Sequence, residues 1–119
     1  MLDDKDLDFI EELRNLKVSK RVASLIAYLA NGKEASSREI EIGANMRQPD
    51  VSIAMNALRE NNWIEQRNIN RAEGKGRPMI LYKLNVPLET IITHFEEKSN
   101  RESTQAMESI QKLRELTTV

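Results

Sequence analysis

Residues Met46–Ile64 read MRQPDVSIAMNALRENNWI, and after a polar stretch residues Gly74–Leu84 read GKGRPMILYKL. Pro49 sits at the start of a helix, where its missing N–H costs nothing and its fixed φ is already helical. Val51, Met55 and Leu58 follow at spacings of four and three, the repeat of one helix face. The opposite face carries Gln48, Ser52, Ile53 and Asn56. Trp63-Ile64 opens a strand that runs to about Arg71. Ala72–Arg77 forms a hairpin tip in which Gly74 and Gly76 can take positive φ, and Met79–Leu84 returns as the second strand. A short helix of small polar side chains beside a cationic hairpin suits reading of the DNA major groove flanked by phosphate contact.

Upstream, Ser36-Ser37-Arg38-Glu39 makes a capping box with Ser36 at the N-cap, so a short helix is expected over 37–44. Asn45 is expected in the left-handed region, and the chain turns at Met46-Arg47. This short helix, its turn and the helix over about 48–61 form a helix-turn-helix. An earlier helix begins after Ser19, buries Val22, Leu25, Ile26 and Leu29, and stops at Asn31-Gly32. The first helix, over 3–17, is capped by Asp3 or Asp4 and carries the stripe Leu7, Ile10, Leu13 and Leu16.

Downstream, Pro87 starts a final helix that extends to about Thr117. At about 1.5 Å per residue it would span roughly 45 Å, longer than a domain of this mass is wide. Leu88, Ile91, Ile92 and Phe95 make its first half apolar, and Ala106, Met107, Ile110, Leu113 and Leu116 its second. Glu96–Gln105 between them is almost wholly polar, compatible with a bend near Ser99-Asn100 or with an exposed middle. Residues 87–119 are therefore expected to form a dimerisation helix beside a DNA-binding domain over 1–86, with helix 3–17 joining the dimer contacts. The expected interface residues are Leu7, Ile10, Ile92, Phe95, Met107, Ile110 and Leu113. The competing arrangement is a helix folded back on its own domain.

The chain has 119 residues, of which 31% are charged and 4% aromatic, which leaves no room for an added catalytic domain. No apolar run approaches the length of a membrane span and no signal-peptide pattern opens the sequence, so a cytoplasmic protein is expected. Absence of cysteine excludes disulfides and thiolate metal sites. The net charge of −1 argues against a basic nucleic-acid coat, but the charge is unevenly placed. Residues 1–16 hold two basic and six acidic side chains, residues 47–85 seven and four, and residues 86–119 four and six. Positive charge is thus concentrated where DNA is expected, with acidic ends facing away.

Residues 39–58, from Glu39-Ile40-Glu41-Ile42-Gly43 through Gln48-Pro49-Asp50-Val51-Ser52 to Met55 and Leu58, resemble the helix-turn-helix of winged-helix regulators of the ArsR and MarR type. The wing sequence GKGRPMILYKL is similar to that of archaeal regulators in this group, and the likeness covers about residues 19–85. Glu41 stands where the pattern has a small residue, Ala44 where it has a larger apolar one, and Arg47 where a capping serine is common. The cysteine pairs of metal-sensing members are absent, so metal sensing does not carry over. The resemblance implies an α+β, mainly α winged helix-turn-helix with a two-stranded wing and a long C-terminal helix. It also implies a homodimeric transcriptional regulator that binds double-stranded DNA.

On that reading Gln48, Ser52, Ile53 and Asn56 meet base edges: the amides can pair with adenine, serine can donate or accept, and isoleucine can touch a thymine methyl. No Arg or Lys lies between Gln48 and Leu58, so attraction must come from elsewhere. Arg38, Arg47, Arg67, Arg71, Lys75 and Arg77 are the candidates for backbone or minor-groove contact, with Lys20 and Arg21 weaker ones. Trp63 and Tyr82 read as packing residues. His94 stands near Glu96 and Glu97 without further nitrogen or sulfur ligands, so no metal or cofactor is expected. No serine sits in a nucleophile-type turn, so no enzyme is expected either. The alternative function is a winged-helix protein-interaction module in a transcription or replication assembly, and no residue points to a small-molecule effector.

Overall fold

The computed structural model describes residues 1–69 and 79–118. Its contacts divide into two units, Met1–Leu88 and Glu89–Val119.

The first unit runs α1 (Asp4–Asn15), α2 (Lys20–Tyr28), β1 (Ala35–Ser36), α3 (Ser37–Gly43), α4 (Gln48–Glu60), β2 (Ile64–Ile69) and β3 (Met79–Leu84). The starts of α1, α2 and α3 are set by local side-chain bonds. Asp3 and Asp6 close a reciprocal capping box on α1, with Asp3 Oδ1 accepting from the Asp6 N–H at 2.8 Å. The Ser19 hydroxyl accepts from the Val22 N–H at the start of α2. Ser36 and Glu39 close the expected box on α3.

Three helices end in one way. Lys17, Asn45 and Asn62 each take a positive φ, of 69°, 52° and 60°. The following N–H then turns back to a carbonyl five residues earlier: Val18 to Leu13, Met46 to Glu41 and Trp63 to Leu58. Asn45 thus stands in the left-handed conformation expected of it. Helix α2 ends at Tyr28, short of the expected stop at Asn31-Gly32, because Ala30–Gly32 tightens into a 3-10 turn with Asn31 at φ 65°.

The sheet is antiparallel in the order β1-β3-β2. Ala35 and Gln66 both lie opposite Tyr82, and Ser36 and Arg67 both opposite Leu81. Short as it is, β1 therefore covers the outer edge of β3 and brings the start of α3 to the sheet.

The core of this unit joins Ile10 and Leu13 of α1, Leu25 and Ile26 of α2, Ile40 of α3, and Val51, Met55 and Leu58 of α4. Leu29, Trp63 and Leu84 are buried with them. Only half of the α1 stripe is inside: Leu7 is 52% exposed and Leu16 also lies at the surface. Val22 is half-buried, and Ala23 takes the inner position instead. Gly43 ends α3 against Tyr28, and a Cβ built on Gly43 would run into the tyrosine ring.

The second unit is α5 (Leu88–Thr117), one helix of 30 residues. Thr104 Oγ1 donates to the Asn100 carbonyl at 3.0 Å, and helical structure continues through Ser99-Asn100 without interruption. Its second half presents Met107, Ile110, Leu113 and Leu116 at exposures of 50–81%. Among the described residues no helix is long and apolar enough to cross a membrane.

Candidate nucleic-acid interface

Helix α4 has one wholly committed face and one open one. Val51, Ala54, Met55 and Leu58 are buried, while Gln48, Ser52, Ile53 and Asn56 are exposed, as their spacing dictates. Arg47 occupies the N-cap and makes no side-chain cap bond, so the first amides of the helix keep their donors. Ile53 is 49% exposed between polar neighbours, an apolar contact surface too small to drive association by itself.

The polar residues of this face are tied to one another. Gln48 Nε2 donates to Ser52 Oγ at 2.9 Å, one helical turn apart. Asn56 Oδ1 accepts from Arg59 Nη1 at 3.0 Å, and Arg59 Nη2 donates to Gln66 Oε1 at 3.1 Å. The same guanidinium lies 5.8 Å from the centre of the Tyr82 ring, and Tyr82 is the residue opposite Gln66 in the sheet. Arg59 is thus a further cation of α4, beyond those expected from the sequence. The signal was present: Arg59 stands three residues after Asn56, the spacing of neighbours on a helix surface.

The expected cations fall into different states. Arg38 and Arg47 are exposed, Arg38 near the start of α3 and Arg47 before α4. Arg67 instead holds Glu34, with Nε and Nη2 each 2.7 Å from a carboxylate oxygen. The Arg67 hydrogen bonds keep the Glu34 carboxyl below its ordinary range, and the carboxylate in turn raises the guanidinium pKa. Arg21 of α2 pairs with Asp50 in the first turn of α4 at 3.3 Å, which offsets the one acidic side chain there. Arg71, Lys75 and Arg77 lie outside the described residues.

Of the residues expected between protomers, Ile10 is a correction. It is 6% exposed and packs in the core of its own unit, because α1 turns this position inward and Leu7 outward. Ile92, Met107, Ile110 and Leu113 are exposed, and Phe95 is half-buried with its ring 5.2 Å from that of His94 in edge-on geometry. Trp63 is buried, as expected of a packing residue.

No family model matches this sequence, and no curated protein matches it. Solved structures do. The chain is similar to a protein from Methanosarcina mazei described as a possible transcriptional regulator, with a TM-score of 0.59 and 12% identity over 94% of this chain and 89% of that one. It is also similar to a MarR family regulator from Neisseria meningitidis, with a TM-score of 0.50 and 16% identity over 92% of this chain and 82% of that one. At these identities the likeness is one of fold: a mainly helical winged helix with a small three-stranded antiparallel sheet.

Proposed function

We propose that this protein is a homodimeric transcriptional regulator that binds double-stranded DNA through α4, without enzymatic activity. The observation that carries this reading is the two-sided character of α4. One side is locked into the core by Val51, Ala54, Met55 and Leu58; the other offers Gln48, Ser52, Ile53 and Asn56 to solvent. A rigidly seated helix with a hydrogen-bonding outer face can enter the major groove without rearranging its own fold. Arg47 at its N-cap and Arg38 on α3 are both exposed and supply attraction to phosphate, which the helix centre lacks. The possible transcriptional regulator from M. mazei and the MarR family regulator from N. meningitidis share this fold and support the assignment.

Dimerisation is assigned to α5. Met107, Ile110, Leu113 and Leu116 leave an apolar surface open on the second half of this helix. A second copy of the chain is the partner that satisfies it. Two copies also double the small number of cations each contributes, which a chain of net charge −1 needs in order to hold a polyanion.

The test is a titration of fluorescent random-sequence duplex at increasing salt. A DNA-binding regulator loses affinity steeply as salt rises, with a log–log slope that counts the phosphates neutralised. Absence of binding at low salt would overturn the assignment in favour of a protein-interaction module. Selection of bound duplexes from a random pool then gives the preferred site, which two-fold symmetry predicts to be pseudo-palindromic with half-sites about one helical turn apart.

A further inference from the structure

Asn56 and Arg59 are not independent members of the DNA-facing surface. Arg59 Nη1 donates to Asn56 Oδ1 at 3.0 Å while Nη2 of the same guanidinium donates to Gln66 Oε1 at 3.1 Å. A guanidinium is planar and holds only donors, so both amides must turn an oxygen toward it. Gln66 belongs to β2 and faces Tyr82 across the ladder, and the Tyr82 ring lies 5.8 Å from the Arg59 guanidinium carbon. Arg59 is therefore seated by the sheet and by its own helix, and passes that placement on to Asn56. Arg59 holds one of the two lone pairs of Oδ1 and so fixes the turn of the Asn56 amide, whose nitrogen, a donor, is the end away from the guanidinium.

We propose that Arg59 is a positioning residue which holds Asn56 as a hydrogen-bond donor toward the major groove and so sets the base accepted there. This rests on the DNA-binding reading above and refines it. An asparagine free to present both ends pairs with adenine through a donor and an acceptor. One whose oxygen is engaged favours an edge made of acceptors, which is guanine with its N7 and O6, and disfavours cytosine, whose major-groove edge is a donor. The guanidinium adds a positive charge on the same side, which also favours the acceptor-rich guanine edge.

The experiment compares the full-length protein with Arg59→Lys, Arg59→Ala, Asn56→Ala and the Arg59→Ala/Asn56→Ala double variant. Affinities are measured on the selected site, on the four duplexes that vary the base Asn56 discriminates, and on random duplex. The parent should prefer an acceptor-edged base at that position by roughly 5- to 150-fold. Arg59→Lys keeps the charge but not the two-armed bridge, so its preference at this position should fall by a larger factor than its random-duplex affinity. Arg59→Ala should relax the same position as Asn56→Ala, and the double variant should add nothing further. A uniform loss on every duplex in Arg59→Ala, with the preference intact in Arg59→Lys, would make Arg59 a phosphate contact and overturn the proposal. The side-chain amide signals of Asn56, followed by NMR in DNA-free protein, give an independent readout. They should move in both Arg59 variants, and unchanged signals would also overturn it. Failure of the parent to bind any duplex would instead overturn the DNA-binding reading, and the specificity role with it, while the NMR arm still reports on the Asn56–Arg59 bond.

Discussion

Arg67 and Glu34 join in a two-bonded ion pair, 2.7 Å at each contact, that spans the central strand of the sheet. Arg67 lies on β2 and Glu34 immediately before β1, the two strands that flank β3. The pair fastens the wing strand to the opposite edge of the sheet, with one arginine engaged that would otherwise be open to phosphate.

Because the hydrogen bonds from Arg67 stabilise the ionised form, Glu34 should titrate below its ordinary value. A carboxylate depressed on folding contributes stability at pH above its unfolded pKa and loses that contribution as pH falls through the lower folded value. The window is therefore acidic, and both side chains are open enough to water that the effect on stability should be small. Carboxyl NMR titration checks it: Arg67→Ala should return Glu34 to the ordinary range. Glu34→Gln, by releasing Arg67, should raise affinity for random duplex and increase the salt slope by about one.

Gly43→Ala should destabilise the fold by about 1–3 kcal/mol through overpacking, since the added methyl meets the Tyr28 ring. That ring is buried and carries Lys33 Nζ 3.9 Å from its centre, so it has little room to withdraw. Urea denaturation measures the loss. Tyr28→Leu in the same chain should recover part of it if the clash is the cause.

Arg47→Ser should move stability and DNA binding in opposite directions. Arg47 gives α4 no side-chain cap, and a serine there can accept from an amide of the first turn, worth roughly 1 kcal/mol. The same change removes an exposed cation beside the recognition face. Thermal melting should show the gain, and the random-duplex titration the loss.

Ile110→Asp and Leu113→Asp should convert a dimer to monomers without unfolding the Met1–Leu88 unit, whose core contains neither residue. Sedimentation velocity reports the assembly, and the melting of the monomer reports the fold. An unchanged mass in both variants would place the dimer contact elsewhere. Loss of affinity on a two-half-site duplex should accompany dissociation.

Much of the fold lies in short-range relations that a sequence displays directly. The Ser36–Glu39 box, the Ser19 cap and the left-handed Asn45 each involve groups within five residues of one another. The faces of α4 follow from helical periodicity, so Val51, Met55 and Leu58 are buried and Gln48, Ser52, Ile53 and Asn56 exposed as their order requires. The starts of α4 and α5, each marked by a proline, were legible on the same grounds, whereas the polar stretch Glu96–Gln105 left open whether α5 bends.

What the tertiary structure alone decided are relations between residues distant in the chain. A stripe of four apolar positions on α1 does not say which will face α2, and packing sent Ile10 inward and left Leu7 at the surface. Arg67 finds Glu34 across 33 residues because the strand order β1-β3-β2 folds both edges over one central strand. Arg59 reaches Gln66 and Tyr82 only because β2 turns back beside the end of α4. The sequence by itself determined which faces and termini exist, since those depend on bonds within a turn or two. Which charges remain available for a ligand was settled by the partners that chain reversal brought within hydrogen-bonding distance.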